Sequence, residues 1–126
     1  MIVLDTSALL YWTLDPKKLS PAARQAIDGA DYLVISSISV WEIALKVKRG
    51  KLEIPLMIDE FVERLNKLKK LEILSVDVQT WLDNLALKWA HRDPADRTIV
   101  AIAQRYGCPL VASDCVIADF YEGTIW

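Results

Sequence analysis

Ile2-Val3-Leu4-Asp5-Thr6-Ser7-Ala8-Leu9 opens the chain, and its reading decides the fold. Three apolar residues, two of them β-branched, have the length and composition of a short strand covered on both faces. Asp5 stands where that strand gives way to a short helix over residues 6–13. A strand that passes at once into a helix is the repeating unit of a parallel sheet with helices packed on both sides. The same junction recurs near the other end, where Pro109-Leu110-Val111-Ala112-Ser113 runs into Asp114.

Between these junctions the punctuation is regular. Asp15-Pro16 and Ser20-Pro21 mark a loop, and Ser20 is placed to cap a helix with Pro21 at its first position, ending near Gly29. Tyr32–Ile35 reads as a second strand, and Ser36–Ser39 leads into a helix that runs to Arg49 and stops at Gly50. Leu52-Glu53-Ile54-Pro55 is a connector. Over residues 58–70, Ile58, Phe61, Val62, Leu65 and Leu68 share one helical face. Ile73–Val76 is read as a third strand, 78–90 as a helix, and 95–106 as a helix closed by Gly107. The strand Leu110–Ala112, a short helix over 115–120 and a terminal strand over 124–126 follow. The order predicts an α/β fold: a mostly parallel sheet of about five short strands with helices on both faces and right-handed crossovers. No repeat or linker divides it, so one domain over 1–126 is expected.

Four acids fall at comparable points of this pattern. Asp5 and Asp114 end predicted strands, and Glu42 and Asp96 sit in predicted first turns of helices, Ser39-Val40-Trp41-Glu42 and Asp93-Pro94-Ala95-Asp96. In an open parallel sheet, strand carboxyl ends and the following helix starts share the edge where ligands bind. Each acid also has a plainer reading. Ser39 and Glu42 match a capping box, Asp93 can cap with Pro94 at N1, and Asp96 then favours the positive helix end. Asp114 suits a cap and Asp5 a turn after a strand. Taken singly each is a cap. Taken together, carboxylates gathered at one edge repel unless protonated or paired with a cation. Oxygen-only donors suit a hard cation such as Mg²⁺ or Mn²⁺. The expectation is a metal-dependent site formed by Asp5, Glu42, Asp96 and Asp114.

Bulk properties bound the alternatives. At 126 residues, 53% hydrophobic and 25% charged, the composition is globular, and no apolar run approaches the roughly 20 residues of a spanning helix. The chain enters a strand-like run immediately, so a cytoplasmic location is expected. Cys108 and Cys115 have no metal spacing and read as small buried thiols rather than a disulfide. The net charge is −2, but setting the four acids aside leaves 13 acidic against 15 basic side chains, a balance of +2. A mildly basic surface around a metal-neutralised acidic pocket is compatible with a polyanion. Of five tryptophans, Trp41, Trp81 and Trp89 have core-like spacing, whereas Trp12 and Trp126, with Leu10 and Leu14, fit an apolar partner surface.

Three stretches carry a family resemblance: Val3-Leu4-Asp5-Thr6-Ser7-Ala8-Leu9-Leu10, Ser37-Ile38-Ser39-Val40-Trp41-Glu42-Ile43-Ala44-Leu45-Lys46 and His91-Arg92-Asp93-Pro94-Ala95-Asp96-Arg97. The chain resembles PIN-domain proteins, and most of all the VapC toxins of VapBC toxin–antitoxin pairs. Gly50-Lys51-Leu52-Glu53-Ile54-Pro55 and Pro109–Asp114 continue the match in the family's order. The resemblance implies that Asp5, Glu42, Asp96 and Asp114 are the metal-binding, catalytic carboxylates of a Mg²⁺- or Mn²⁺-dependent endoribonuclease. It further implies in-line attack by water, leaving a 5′-phosphate and a 3′-hydroxyl, and a homodimer with a cognate antitoxin near the acidic site. Ala112 departs from the hydroxyl residue common two places before the last acid, and Ala95 from a bulkier residue.

Secondary candidates surround the quartet. Thr6 and Ser113 fit either the orientation of metal-bound water or helix caps. Arg97 fits a phosphate contact or, preferably, an ion pair with Asp93 four residues earlier. Asp119 reads as a surface acid, and the basic run Lys46, Lys48, Arg49 and Lys51 equally as a solvated helix end or an RNA contact. His91, the single histidine, reads as structural, and without a second histidine the metal-independent route through a neighbouring 2′-hydroxyl is closed. The nearest rival is a PIN nuclease of RNA processing or decay without an antitoxin. A phosphoacceptor receiver domain is disfavoured because no Lys follows Pro109. A catalytically dead binding module is disfavoured because all four acids are retained.

Overall fold

β1 (Ile2–Leu4) lies at the centre of a five-stranded sheet in the computed structural model, which describes residues 1–126. The chain continues through α1 (Thr6–Leu14), a 3₁₀ turn (Pro16–Lys18), α2 (Pro21–Gly29), β2 (Leu33–Ser36), α3 (Ser37–Lys48) and α4 (Ile58–Asn66). Then come β3 (Leu71–Leu74), α5 (Val78–Ala86), α6 (Pro94–Tyr106), β4 (Leu110–Val111), α7 (Cys115–Phe120) and β5 (Thr124–Ile125). The strand order is β3-β2-β1-β4-β5 and every neighbouring pair is parallel. The chain therefore winds outward from β1 to β3, then returns across the sheet to β4. That reversal falls between β1 and β4, the position where α/β sheets open a crevice at their carboxyl edge. The Asp5 N–H donates to the Val111 carbonyl at 3.1 Å, holding the two strand ends level.

Strand periodicity sorts the core into two layers. Val3, Val34 and Leu110 point to the face packed by Ile99 and Ile102 of α6 and Ile117 of α7. Leu4, Leu33, Ile35 and Val111 point to the other, packed by residues of α1 to α4 such as Leu9, Ile27, Ile43 and Phe61. Each of these side chains is buried, and a buried aliphatic group of this size contributes about 1.5–3 kcal/mol. Gly107 adopts φ 59° at the end of α6, the left-handed cap expected there. No helix is long and apolar enough to cross a membrane.

Two boundaries differ from the sequence reading. α4 stops at Asn66 and β3 begins at Leu71, because the Lys70 carbonyl already accepts from Leu33 N–H at 2.6 Å. The Lys70 ammonium meanwhile donates to the Ile27 carbonyl at 2.5 Å, at the end of α2. α5 stops at Ala86 rather than reaching Ala90. Its last carbonyls are taken by Arg97, whose guanidinium donates to the carbonyls of Asn84 (2.6 Å) and Leu87 (3.0 Å). Trp41 and Trp81 are exposed, against their core-like spacing, whereas Trp89 packs on the core. Cys108 is a buried free thiol, but Cys115 opens α7 on its solvent side and is exposed.

Candidate active site

α1, α3 and α7 each start directly beyond β1, β2 and β4, so their amino termini face the carboxyl edge of the sheet. Asp5 caps α1, its Oδ1 accepting from the Ala8 N–H at 2.7 Å. Asp114 caps α7, accepting from Val116 N–H at 2.8 Å. Asp93 caps α6 by accepting from the N–H groups of Ala95 and Asp96, with Pro94 at the first position, which places Asp96 in the first turn. The cap readings are therefore correct for Asp5, Asp93 and Asp114. They do not compete with a site, because capping is what fixes these acids at helix starts.

The capping box at Ser39 is not formed. Ser36, not Ser39, caps α3, its hydroxyl accepting from the Ile38 N–H at 3.2 Å. Glu42 is thus in the second turn, and its nearest cation is Lys46, 4.0 Å away and half exposed. Ser39 is fully buried and its hydroxyl accepts from that of Thr6 at 3.0 Å. This bond ties the start of α1 to the helix that carries Glu42.

The electrostatics join the four acids. Asp5 is 5% exposed. Burial, then repulsion from Asp96, Glu42 and Asp114, pushes its carboxyl up to about 7, against the opposing pull of the Ala8 N–H. Asp96 is also raised, by burial and by the Asp93 and Asp114 carboxylates, while a hydrogen bond from His91 pulls it back. As placed, no three of the acids converge into one coordination shell. Each is instead held by its own neighbour: Asp5 by Ala8, Asp96 by His91, Asp114 by Val116. Every donor is a carboxylate oxygen, and the charged groups acting most strongly on the buried one are three further carboxylates. That donor chemistry fits a hard divalent cation.

Residues 2–122 match the sequence model of the PIN domain. The chain belongs to the PIN-domain family. Over 113 residues it is 29% identical to ribonuclease VapC22 of Mycobacterium tuberculosis (strain ATCC 25618 / H37Rv), covering 90% of this chain and 86% of that protein. Its PIN fold also superposes on a toxin–antitoxin complex from Klebsiella pneumoniae, with a TM-score of 0.68, 18% identity, and 100% and 97% of the two chains covered. Mycobacterium tuberculosis VapC20, described as a sarcin–ricin-loop-cleaving toxin, aligns with a TM-score of 0.66 at 15% identity over 97% and 98% of the chains.

Other candidates settle differently in the PIN fold. Arg97 forms no ion pair with Asp93. Besides the Asn84 and Leu87 carbonyls, its guanidinium donates to the carbonyls of Trp89 (2.6 Å) and His91 (3.0 Å) and to the Asn84 amide oxygen. Every strong donor direction is thereby spent on the chain itself, so Arg97 ties down the turn before α6. Ser113 and Asp119 are exposed. His91 is the residue that sequence reasoning undervalued: its Nε2 lies 2.7 Å from Asp96 Oδ2. The two are five apart across a turn, a spacing that signals contact in neither helix nor strand.

Proposed function

We propose that this chain is a divalent-metal-dependent endoribonuclease, the cytoplasmic toxin of a toxin–antitoxin pair. The observation that carries the reading is the buried Asp5 carboxylate, raised to about 7 with Asp96, Glu42 and Asp114 as its charged surroundings. Such a group holds a proton or a cation at neutral pH, and an all-oxygen set selects Mg²⁺ or Mn²⁺. Likeness to proteins named as a ribonuclease and as an RNA-loop-cleaving toxin supports RNA as the substrate.

Asp5, Asp96, Asp114 and Glu42 would hold the ion, which when bound supplies a Lewis acid for a phosphoryl oxygen and a water acidified towards neutrality. The amino termini of α1, α3 and α7 present partial positive charge to a phosphodiester at the same edge. The only histidine is engaged with Asp96, so no His pair exists to activate a 2′-hydroxyl. Attack by water with the ribose 3′-oxygen as leaving group, as the family resemblance implies, would leave 5′-phosphate and 3′-hydroxyl ends. Thr6 donates its hydroxyl proton to Ser39 and acts as a brace for the edge.

Two apolar surfaces suit protein partners. A cleft of about 360 Å³ between α1 and α4, lined by Trp12, Leu14, Leu56, Phe61, Leu65 and Leu68, suits an apolar antitoxin segment. Along α5, Val78, Trp81, Leu82 and Leu85 are exposed at helical spacing, beside exposed Trp41 of α3. That stripe suits a second copy, and Leu85→Glu is expected to convert a dimer to a monomer in light scattering. A wild-type monomer at micromolar concentration would remove the dimer.

The activity test is direct. Purified protein incubated with RNA should cleave it with Mg²⁺ or Mn²⁺, stop with EDTA and leave 5′-phosphates. Absence of cleavage with either metal contradicts the reading. Expression alone should be toxic; harmless expression of folded, active protein favours a PIN nuclease of RNA processing.

A further inference from the structure

Three rings are piled beside the acidic edge. Phe120, at the end of α7, stacks on Trp89 with centroids 4.6 Å apart and planes 12° from parallel. Trp89 in turn packs against His91, centroids 4.8 Å apart. The backbone under these rings is pinned as well, since Arg97 takes the carbonyls of both Trp89 and His91. The imidazole packed on Trp89 meets Asp96 through Nε2, which lies 2.7 Å from Oδ2. An ionised Asp96 only accepts, so Nε2 carries the hydrogen and donates it.

We propose that His91 is a positioning residue: its Nε2–H fixes one oxygen of the Asp96 carboxylate and leaves the other free to meet a cation. The role rests on the assignment of Asp96 as a metal ligand. Asp96 needs such a device. It sits in the first turn of α6 with its backbone N–H committed to Asp93, but its side chain has no other hydrogen-bond partner to set its rotamer. Groups that orient a ligand in this way typically change metal affinity by about 10–100-fold when removed. A purely structural aromatic on this turn needs only a ring; the positioning role needs the donor.

Two substitutions separate these requirements. His91→Phe keeps a ring against Trp89 and removes the donor, whereas His91→Gln loses the ring but places an N–H near the position of Nε2. In Mn²⁺ titrations of the folded protein, His91→Phe should bind about tenfold more weakly and His91→Gln within about threefold of wild type. For RNA cleavage, kcat should fall in His91→Phe with KM little changed. The wild-type chain supplies a second readout that needs no His91 variant, because its single histidine gives one pair of imidazole ¹⁵N signals. Saturating Mg²⁺ should shift the Nε2 signal, and Asp96→Asn should abolish that response. Wild-type Mn²⁺ affinity in His91→Phe, an equal loss in both His91 variants, or an Nε2 signal unmoved by Mg²⁺ overturns the proposal. If Asp96→Asn itself keeps wild-type Mn²⁺ affinity, the metal assignment fails and the His91 role falls with it. If Asp96→Asn loses binding while His91→Phe does not, only the His91 role falls.

Discussion

Asp5 and Asp83 are both hydrogen-bonded aspartates on a helix or at its start, yet the protein treats their charges in opposite ways. Asp5 is buried and feels the charge of three further carboxylates, and its carboxyl is raised to about 7. Asp83, on α5, accepts from the Gln79 amide at 2.9 Å and pairs with the Arg105 guanidinium of α6 at 2.6 Å, and its carboxyl is lowered. Asp77 nearby is lowered too, chiefly by the Thr80 hydroxyl and then the Thr80 N–H. One group of acids is charged at a cost to the fold, and the other is charged in support of it. Carboxylates of the first kind cluster at functional sites.

The largest expected effect breaks the comparison at its functional end. Asp5→Asn or Asp96→Asn should reduce metal-dependent RNA cleavage by about 10²-fold or more, the scale of losing one electrostatic contact to a transition state. Asp83→Asn should cleave like wild type. Retained cleavage in both edge variants, measured with nuclease-free preparations, would refute the assignment.

A stability difference comes next. Because the folded-state carboxyl of Asp5 is raised from 3.8 to about 7, the protonated form is the one the fold prefers. The penalty for charging it is absent below about pH 4 and grows until about pH 7, reaching at most about 4 kcal/mol. Asparagine keeps an oxygen to cap α1 and carries no charge. Urea unfolding with EDTA present should therefore show Asp5→Asn more stable than wild type at pH 8 and equal to it near pH 4. Equal stability at both values would mean that the carboxylate is not under strain.

Asp83→Asn should show the smallest effect, and the opposite one. Its folded-state carboxyl is depressed, so the stabilisation it brings is present at neutral pH and lost as pH falls through the depressed range. Thermal melts should show a small loss at pH 7 that closes in strong acid. A variant more stable than wild type at pH 7 would remove the contrast with Asp5.

The helix caps at Asp5, Asp93 and Asp114 were legible in the sequence because their signals are local. A three-residue apolar run before Asp5, proline after Asp93 and glycine at 107 mark strand ends, a helix start and a helix stop within a few residues of themselves. The interactions that were not legible are those set by distant groups. Arg97 reaches four carbonyls between Asn84 and His91 rather than the Asp93 one turn away, which also ends α5 early. His91 meets Asp96 only because the chain turns between them. Ser39 obeys the capping pattern, but Ser36 ends β2 and takes the cap first. Trp41 and Trp81 carry a core-like pattern yet stand exposed, because periodicity alone does not say whether a neighbouring element covers that face.

The claim at the centre of the account is that the strained carboxylates, and not the satisfied ones, bind a divalent cation. Mn²⁺ titration at pH 8, followed by calorimetry or by the spin-resonance signal of free Mn²⁺, tests it on three proteins. Wild type and Asp83→Asn should bind with the same affinity, and Asp5→Asn should show no saturable binding over the same range. Undiminished binding by Asp5→Asn, or a loss in Asp83→Asn as large as that in Asp5→Asn, would contradict it.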